Sequence, residues 1–158
     1  MDGAITYRNA RPGEEIQVCE LVARVFNEFV APGFAPHGIR EFFRYVHPEA
    51  MQLRWQKGHF ALVAVAGDQI VGAIEMMPPD HVSLLFVDAS HQRRGISREL
   101  LCRSIDVCRT QEPGITDISV NSSPNAVLMY ERLGFVQQQS EQEINGIRFV
   151  PMQLTLPT

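Results

Sequence analysis

The chain has 158 residues, 45% of them hydrophobic, with 14 Lys and Arg against 18 Asp and Glu. That supplies one well-buried core but not two ordinary domains, so a single domain spanning residues 1–158 is expected. The acidic balance argues against a general nucleic-acid binder. With no membrane-length apolar run and no charged-then-apolar leader, a cytoplasmic protein without a membrane partner is expected.

From the N-terminus, Ala4 to Ala10 alternates apolar and polar residues like an edge strand. Pro12 suits a helix start, and Ile16, Cys19, Leu21, Val22, Val25, Phe26 and Phe29 recur at helical spacing up to Pro32. A breaker-rich loop, Pro32 to Gly38, carries Phe34. Two short helices are read over Ile39 to Tyr45 and Pro48 to Gln56, then two strands over His59 to Ala66 and Gln69 to Met77 around a Gly67-Asp68 turn. Pro78-Pro79-Asp80 turns the chain into a third strand, Val82 to Val87, antiparallel to the one before it.

After Asp88, a short polar link leads to Arg93-Arg94-Gly95, and apolar residues then recur helically at Ile96, Leu100, Leu101, Ile105 and Cys108. A strand from Thr116 to Asn121 follows, so the helix is a crossover between parallel strands. Ser123-Pro124 reads as a helix N-cap and Gly134 as its stop. Phe135 to Glu143 and Ile147 to Leu156 flank Asn145-Gly146, a strong hairpin signal, and the long strands of that hairpin leave an edge through which a homodimer would form. The sum is an α/β chain with a mixed, mostly antiparallel sheet flanked by helices.

Strand, basic glycine turn and helix have a physical use together. The first helical turn leaves backbone N–H groups unpaired at the positive end of the helix dipole, and glycine admits a ligand close to the backbone. Arg93, Arg94 and Arg98 concentrate positive charge there, against the acidic average of the chain. A phosphorylated ligand is implied. No Lys-Ser/Thr follows the glycine, which excludes the nucleoside-triphosphate loop, and the three glycines of a dinucleotide fingerprint are missing.

Gln92-Arg93-Arg94-Gly95-Ile96-Ser97 resembles the Q/R-x-x-G-x-G/A signature of the GCN5-related N-acetyltransferase (GNAT) family, with Ser97 at the last position. The segment Ala126 to Phe135, with Tyr130 and Gly134-Phe135, is similar to the A-x-x-x-Y-x-x-x-G-F segment of the same family. The order of elements agrees from about Ile5 to Leu156. The resemblance implies the GNAT-like acyl-CoA N-acyltransferase fold, with about seven strands, and transfer of the acetyl group of acetyl-CoA to a primary amine by direct attack.

It further implies that the pantetheine arm lies against Leu85, Phe86 and Val87, in a gap between splayed parallel strands, and that the pyrophosphate lies on Arg93 to Ser97, with Arg98 adding charge. The asparagine common in the family seven residues before the tyrosine is Ser123 here, with Asn121 and Asn125 on either side to meet the cofactor. Tyr130 falls at the general-acid position. A thiol of pKa about 8.5 is a good leaving group, so a tyrosine near pKa ~10 is an adequate donor. For the base that deprotonates the amine, Glu75 is the first candidate and His81 the second.

The acceptor side allows two readings. Glu28, Glu41, Glu49 and Glu75 would suit a cationic amine, whereas Phe29, Phe34, Phe42 and Trp55 would form an apolar pocket or plain core. A non-catalytic acyl-CoA-binding module is the alternative function. Cys19, Cys102 and Cys108 lack metal-ligand spacing and are expected as buried free thiols, and the histidines are scattered, so no metal is expected.

Overall fold

The computed structural model describes residues 4–158; residues 1–3 of the expected domain lie outside it. Strands β1 (Ile5–Asn9), β2 (Phe60–Ala66), β3 (Gln69–Met77) and β4 (His81–Val87) run antiparallel in spatial succession. β5 (Asp117–Ser122) lies parallel to β4, and β8 (Ile147–Thr155) is antiparallel to β5. With the short β6 (Val136–Gln137) the sheet order is β1-β2-β3-β4-β5-β8-β6, and β7 (Gln142–Ile144) pairs with β8. The expected mixed, mostly antiparallel sheet is what forms, with eight strands.

Helices cover both faces. α1 (Glu15–Phe29), α2 (Pro36–Tyr45) and α3 (Pro48–Gln56) lie on one, burying Val18, Leu21, Val22 and Met51 against Val63, Ala73 and Leu84. On the other, α4 (Ile96–Gln111) and the short α5 (Val127–Arg132) cover Leu62, Ile74, Met76, Val82, Leu85 and Val120. Alternation along β4 therefore sends Leu85 to the α4 face and Leu84 to the α1 face. Gly72 makes this packing close. A Cβ there would lie 3.0 Å from Ile96 and 3.3 Å from Leu100, so its absence lets the start of α4 settle on the sheet.

Several boundaries differ from expectation, each for a local reason. α1 begins at Glu15 and not at Pro12, because the Glu14 N–H closes a turn on the Arg11 carbonyl at 3.0 Å. Ser123 makes no side-chain cap; Pro124–Ala126 form a 3-10 turn ahead of α5. The expected strand from Phe135 to Glu143 breaks into β6 and β7. Gln138 to Glu141 is polar and exposed, so it has no apolar face to bury, and Pro151 opposite offers no N–H to the ladder. The long hairpin edge invoked for a homodimer is thereby shortened. Cys102 is exposed, unlike Cys19 and Cys108, because it lies off the inward stripe of α4. No helix of the described residues is long and apolar enough to cross a membrane, and they contain no His/Cys/Asp/Glu group that could hold a metal ion.

Candidate active site

β4 and β5 pair at only two positions, His81 with Ser119 and Val82 with Val120. Beyond them the strands part. β5 continues along β8, while β4 stays on β3 through Val87, so Leu85, Phe86 and Val87 flank a gap into which alternate backbone groups face. The β3 to β4 register also slips here. Glu75 pairs with Leu84 and Met76 with Val82, which leaves Ser83 as a bulged residue beside the vertex of the gap.

At the mouth of the gap lies the glycine turn. Asp88 caps the 3-10 turn Ala89–His91 by accepting from the Ser90 N–H, and its carboxyl is lowered to about 2 by the Ser90 hydroxyl, then His91 and Arg24. Gln92 Nε2 donates to the Val87 carbonyl at 3.1 Å, tying the turn to the end of β4. Gly95 sits at φ +81° and Arg93 at φ +65°. That left-handed conformation costs a non-glycine residue roughly 1–2 kcal/mol, strain of the kind held at functional turns.

The first bond at the start of α4 runs from the Glu99 N–H to the Gly95 carbonyl at 3.0 Å. The amides of Ile96, Ser97 and Arg98 are therefore left without an intrahelical acceptor. A Cβ on Gly95 would meet nothing within 4 Å, so the backbone faces open space. Arg93 and Arg94 are exposed beside it. Bare amides, a helix N-terminus and two guanidiniums fit a diphosphate. Arg98 is exposed as well, and its Nη2 donates to the Arg132 carbonyl at 2.9 Å, tying α4 to α5. Ile96 is 2% exposed and offers only its backbone, while Ser97 is half-buried with its hydroxyl 3.9 Å from Met129 Sδ. Asn121 and Asn125 are both exposed on the β5 side.

Tyr130 lies among the α4-face residues, 5% exposed, its ring edge-on to Phe135 at 5.3 Å. Burial alone pushes its phenol well above the ordinary range, so it is protonated at neutral pH. His81 is on the opposite face, as the alternation with Val82 requires. Its Nδ1 lies 2.7 Å from Ser119 Oγ across the last paired rung. Burial lowers its pKa, with Asp80 opposing and His59 adding to the depression, so the ring is neutral at pH 7.

Glu75 shares that face but not that freedom. It is 1% exposed. Arg54 grips it through Nε to Oε2 at 2.7 Å and Nη2 to Oε1 at 3.1 Å, while Trp55 Nε1 and His59 Nδ1 lie at 3.4 and 3.0 Å. Arg54 also donates to the Tyr45 carbonyl at 2.7 Å and lies 3.6 Å over the Tyr45 ring. Neither oxygen has surface left to meet an acceptor directly, which argues against the base role expected of Glu75, and removing a partner would strand a buried charge, at about 3–5 kcal/mol. Arg54, His59, Tyr45 and Ser119 escaped sequence reading, because only strand register and the packing of α3 bring them here.

A sheet opened between two parallel strands, over a basic glycine turn and a helix N-terminus, defines the class as an acyltransferase. Residues 30–156 match the acetyltransferase (GNAT) domain, and the chain belongs to that family. It is 27% identical over 149 residues to the uncharacterized N-acetyltransferase YafP of Escherichia coli (strain K12), covering 92% of this chain and 91% of that protein. A GCN5-related N-acetyltransferase from Rhodopseudomonas palustris superposes with a TM-score of 0.79 at 18% identity over 99% of this chain and 98% of that one. The PaiA N-acetyltransferase from Thermoplasma acidophilum, solved with coenzyme A, gives 0.78 at 18% identity over 97% and 99%. These two share the fold.

Proposed function

We propose that the chain transfers the acetyl group of acetyl-CoA to a primary amine by direct attack, with both substrates bound at once. The observation that carries this reading is the gap vertex at Val82 and Val120, with His81 on one face of the sheet and Tyr130 on the other. The cofactor's diphosphate lies on the Arg93 to Ser97 backbone, flanked by Arg93 and Arg94, with its pantetheine arm along Leu85, Phe86 and Val87 and with Asn121 and Asn125 at the rim. A CoA-bound neighbour of the same fold supports this placement.

Neutral His81 accepts the amine proton, in place of Glu75, and the freed amine attacks the thioester carbonyl. A β4 amide at the Ser83 bulge stabilises the developing oxyanion. Tyr130 then protonates the departing thiolate. Direct attack is favoured because burial raises the Cys19 and Cys108 thiols to about 11, which makes them poor nucleophiles for an acetyl-enzyme, and the third thiol, Cys102, lies off the inward stripe of α4.

Tyr130→Phe is expected to lower kcat about 100-fold, at the modest end of general acid catalysis because the leaving thiol is a good one, with the acetyl-CoA dissociation constant unchanged. Release of free CoA with the best amine from a primary-amine panel measures it. Equal turnover would remove Tyr130 from the mechanism.

A further inference from the structure

With His81 as the base, the acceptor would enter from the α1, α2 and α3 face, and the side chains of that face carry chemistry of their own. Its aromatics form a chain. Phe86, on β4 beside the gap, meets Phe42 of α2 at 6.2 Å; Phe42 stacks on Phe26 at 3.8 Å; and Phe34, in the connection from α1 to α2, stands edge-on to Phe26 at 5.6 Å. Phe34 and Phe86 are half-buried, while Phe26 is fully covered.

The carboxylates read from the sequence as cation sites are spent or peripheral. Glu75 is saturated by Arg54, Trp55 and His59, and Glu41 lies 3.5 Å from Arg44. Glu28 and Glu49 are exposed on the outer sides of their helices. Two of the ring faces that could cage an ammonium are also occupied, since the Arg54 guanidinium lies over Tyr45 and Phe26 covers a face of Phe42. Beyond Asp80, whose charge already acts on His81, a second positive charge on an acceptor would find none of these carboxylates free to partner it.

We propose that the acceptor is a monoamine whose amine is borne on an apolar, aromatic-sized group, recognised by Phe34 and Phe86, and that polycations are poor acceptors. This deepens the acetyl-transfer reading and rests on it. The test follows CoA release with 2-phenylethylamine and tyramine against spermidine, kanamycin and a lysine peptide, alongside acetyl-CoA binding by thermal melt.

The aryl amines are expected to exceed every polycation in kcat/KM by about tenfold or more. Phe34→Ala is expected to raise KM for 2-phenylethylamine about tenfold with kcat retained, and Phe34→Leu to restore most of it. Faster turnover of spermidine, kanamycin or the peptide, or an unmoved KM in both variants, overturns the inference. Acetyl-CoA binding with no aryl amine turnover overturns it while leaving the family chemistry standing. No acetyl-CoA binding overturns both.

Discussion

His81 and Glu75 share a face of the sheet and differ in what surrounds them, and that difference is the ground for the roles proposed for them. Glu75 is ringed by donors, which fixes it as an anchor joining α3 to β3. His81 has one hydroxyl partner and a depressed pKa, which keeps a lone pair available. The sign follows: below its lowered pKa the ring is protonated and cannot accept the amine proton. In stability terms, its neutral form favours the fold above the unfolded value near 6.5, and that contribution is lost as pH falls toward the folded value. The logarithm of kcat/KM is therefore expected to climb with pH along a limb centred below 6.5, and His81→Gln to flatten that limb and lower the plateau by about 100-fold. A pH–rate profile of both proteins checks this. An unchanged limb in the variant would assign the base elsewhere.

At the scale of elements, the glycine turn and the helix behind it are a unit read almost entirely from local sequence. Arg93-Arg94-Gly95, the apolar strand before and the periodic helix after are contiguous, so their chemistry was legible before their geometry. Gly95→Ala puts a methyl into open space at φ +81°. We expect a folded protein destabilised by roughly 1–2 kcal/mol, in which acetyl-CoA binds at least about tenfold more weakly because the methyl stands where phosphate oxygens would lie. Calorimetric titration decides it, and an unchanged dissociation constant would move the diphosphate off this turn. What the sequence could not show at this scale is the row His81–Ser119 and the Ser83 bulge. They depend on strand register, which no local signal encodes. The broken hairpin is of the same kind, set by a proline on the partner strand.

For the whole molecule, helices on both faces make a sheet that can be opened at one seam without exposing its core. The core under α4 and α5 runs from β2–β4 across to β5 and β8, while the core under α1 to α3 rests on β2–β4 alone, so the two halves stay joined on one face and the gap between β4 and β5 is tolerated. In the proposed mechanism, acid and base reach a common reaction centre from opposite faces. The mixed sheet and its parallel seam were legible because hairpin and crossover signals specify neighbours in the chain, and Tyr130 through the resemblance of Ala126 to Phe135 to the family's segment. The burial of Glu75 was not, since it depends on Arg54 arriving from a helix 21 residues earlier.

Acetyl-CoA binding in the seam is what the glycine turn and the parted strands together require. The most direct measurement is a thermal melt of the purified protein with and without excess acetyl-CoA, with ATP and NADH as controls. At a hundred times its dissociation constant, a ligand of the native state adds about 2.7 kcal/mol, which raises the midpoint by several degrees for a domain of this size. A rise with acetyl-CoA and none with the controls is predicted. No rise at millimolar acetyl-CoA would contradict the assignment of the seam and its glycine turn as the cofactor site.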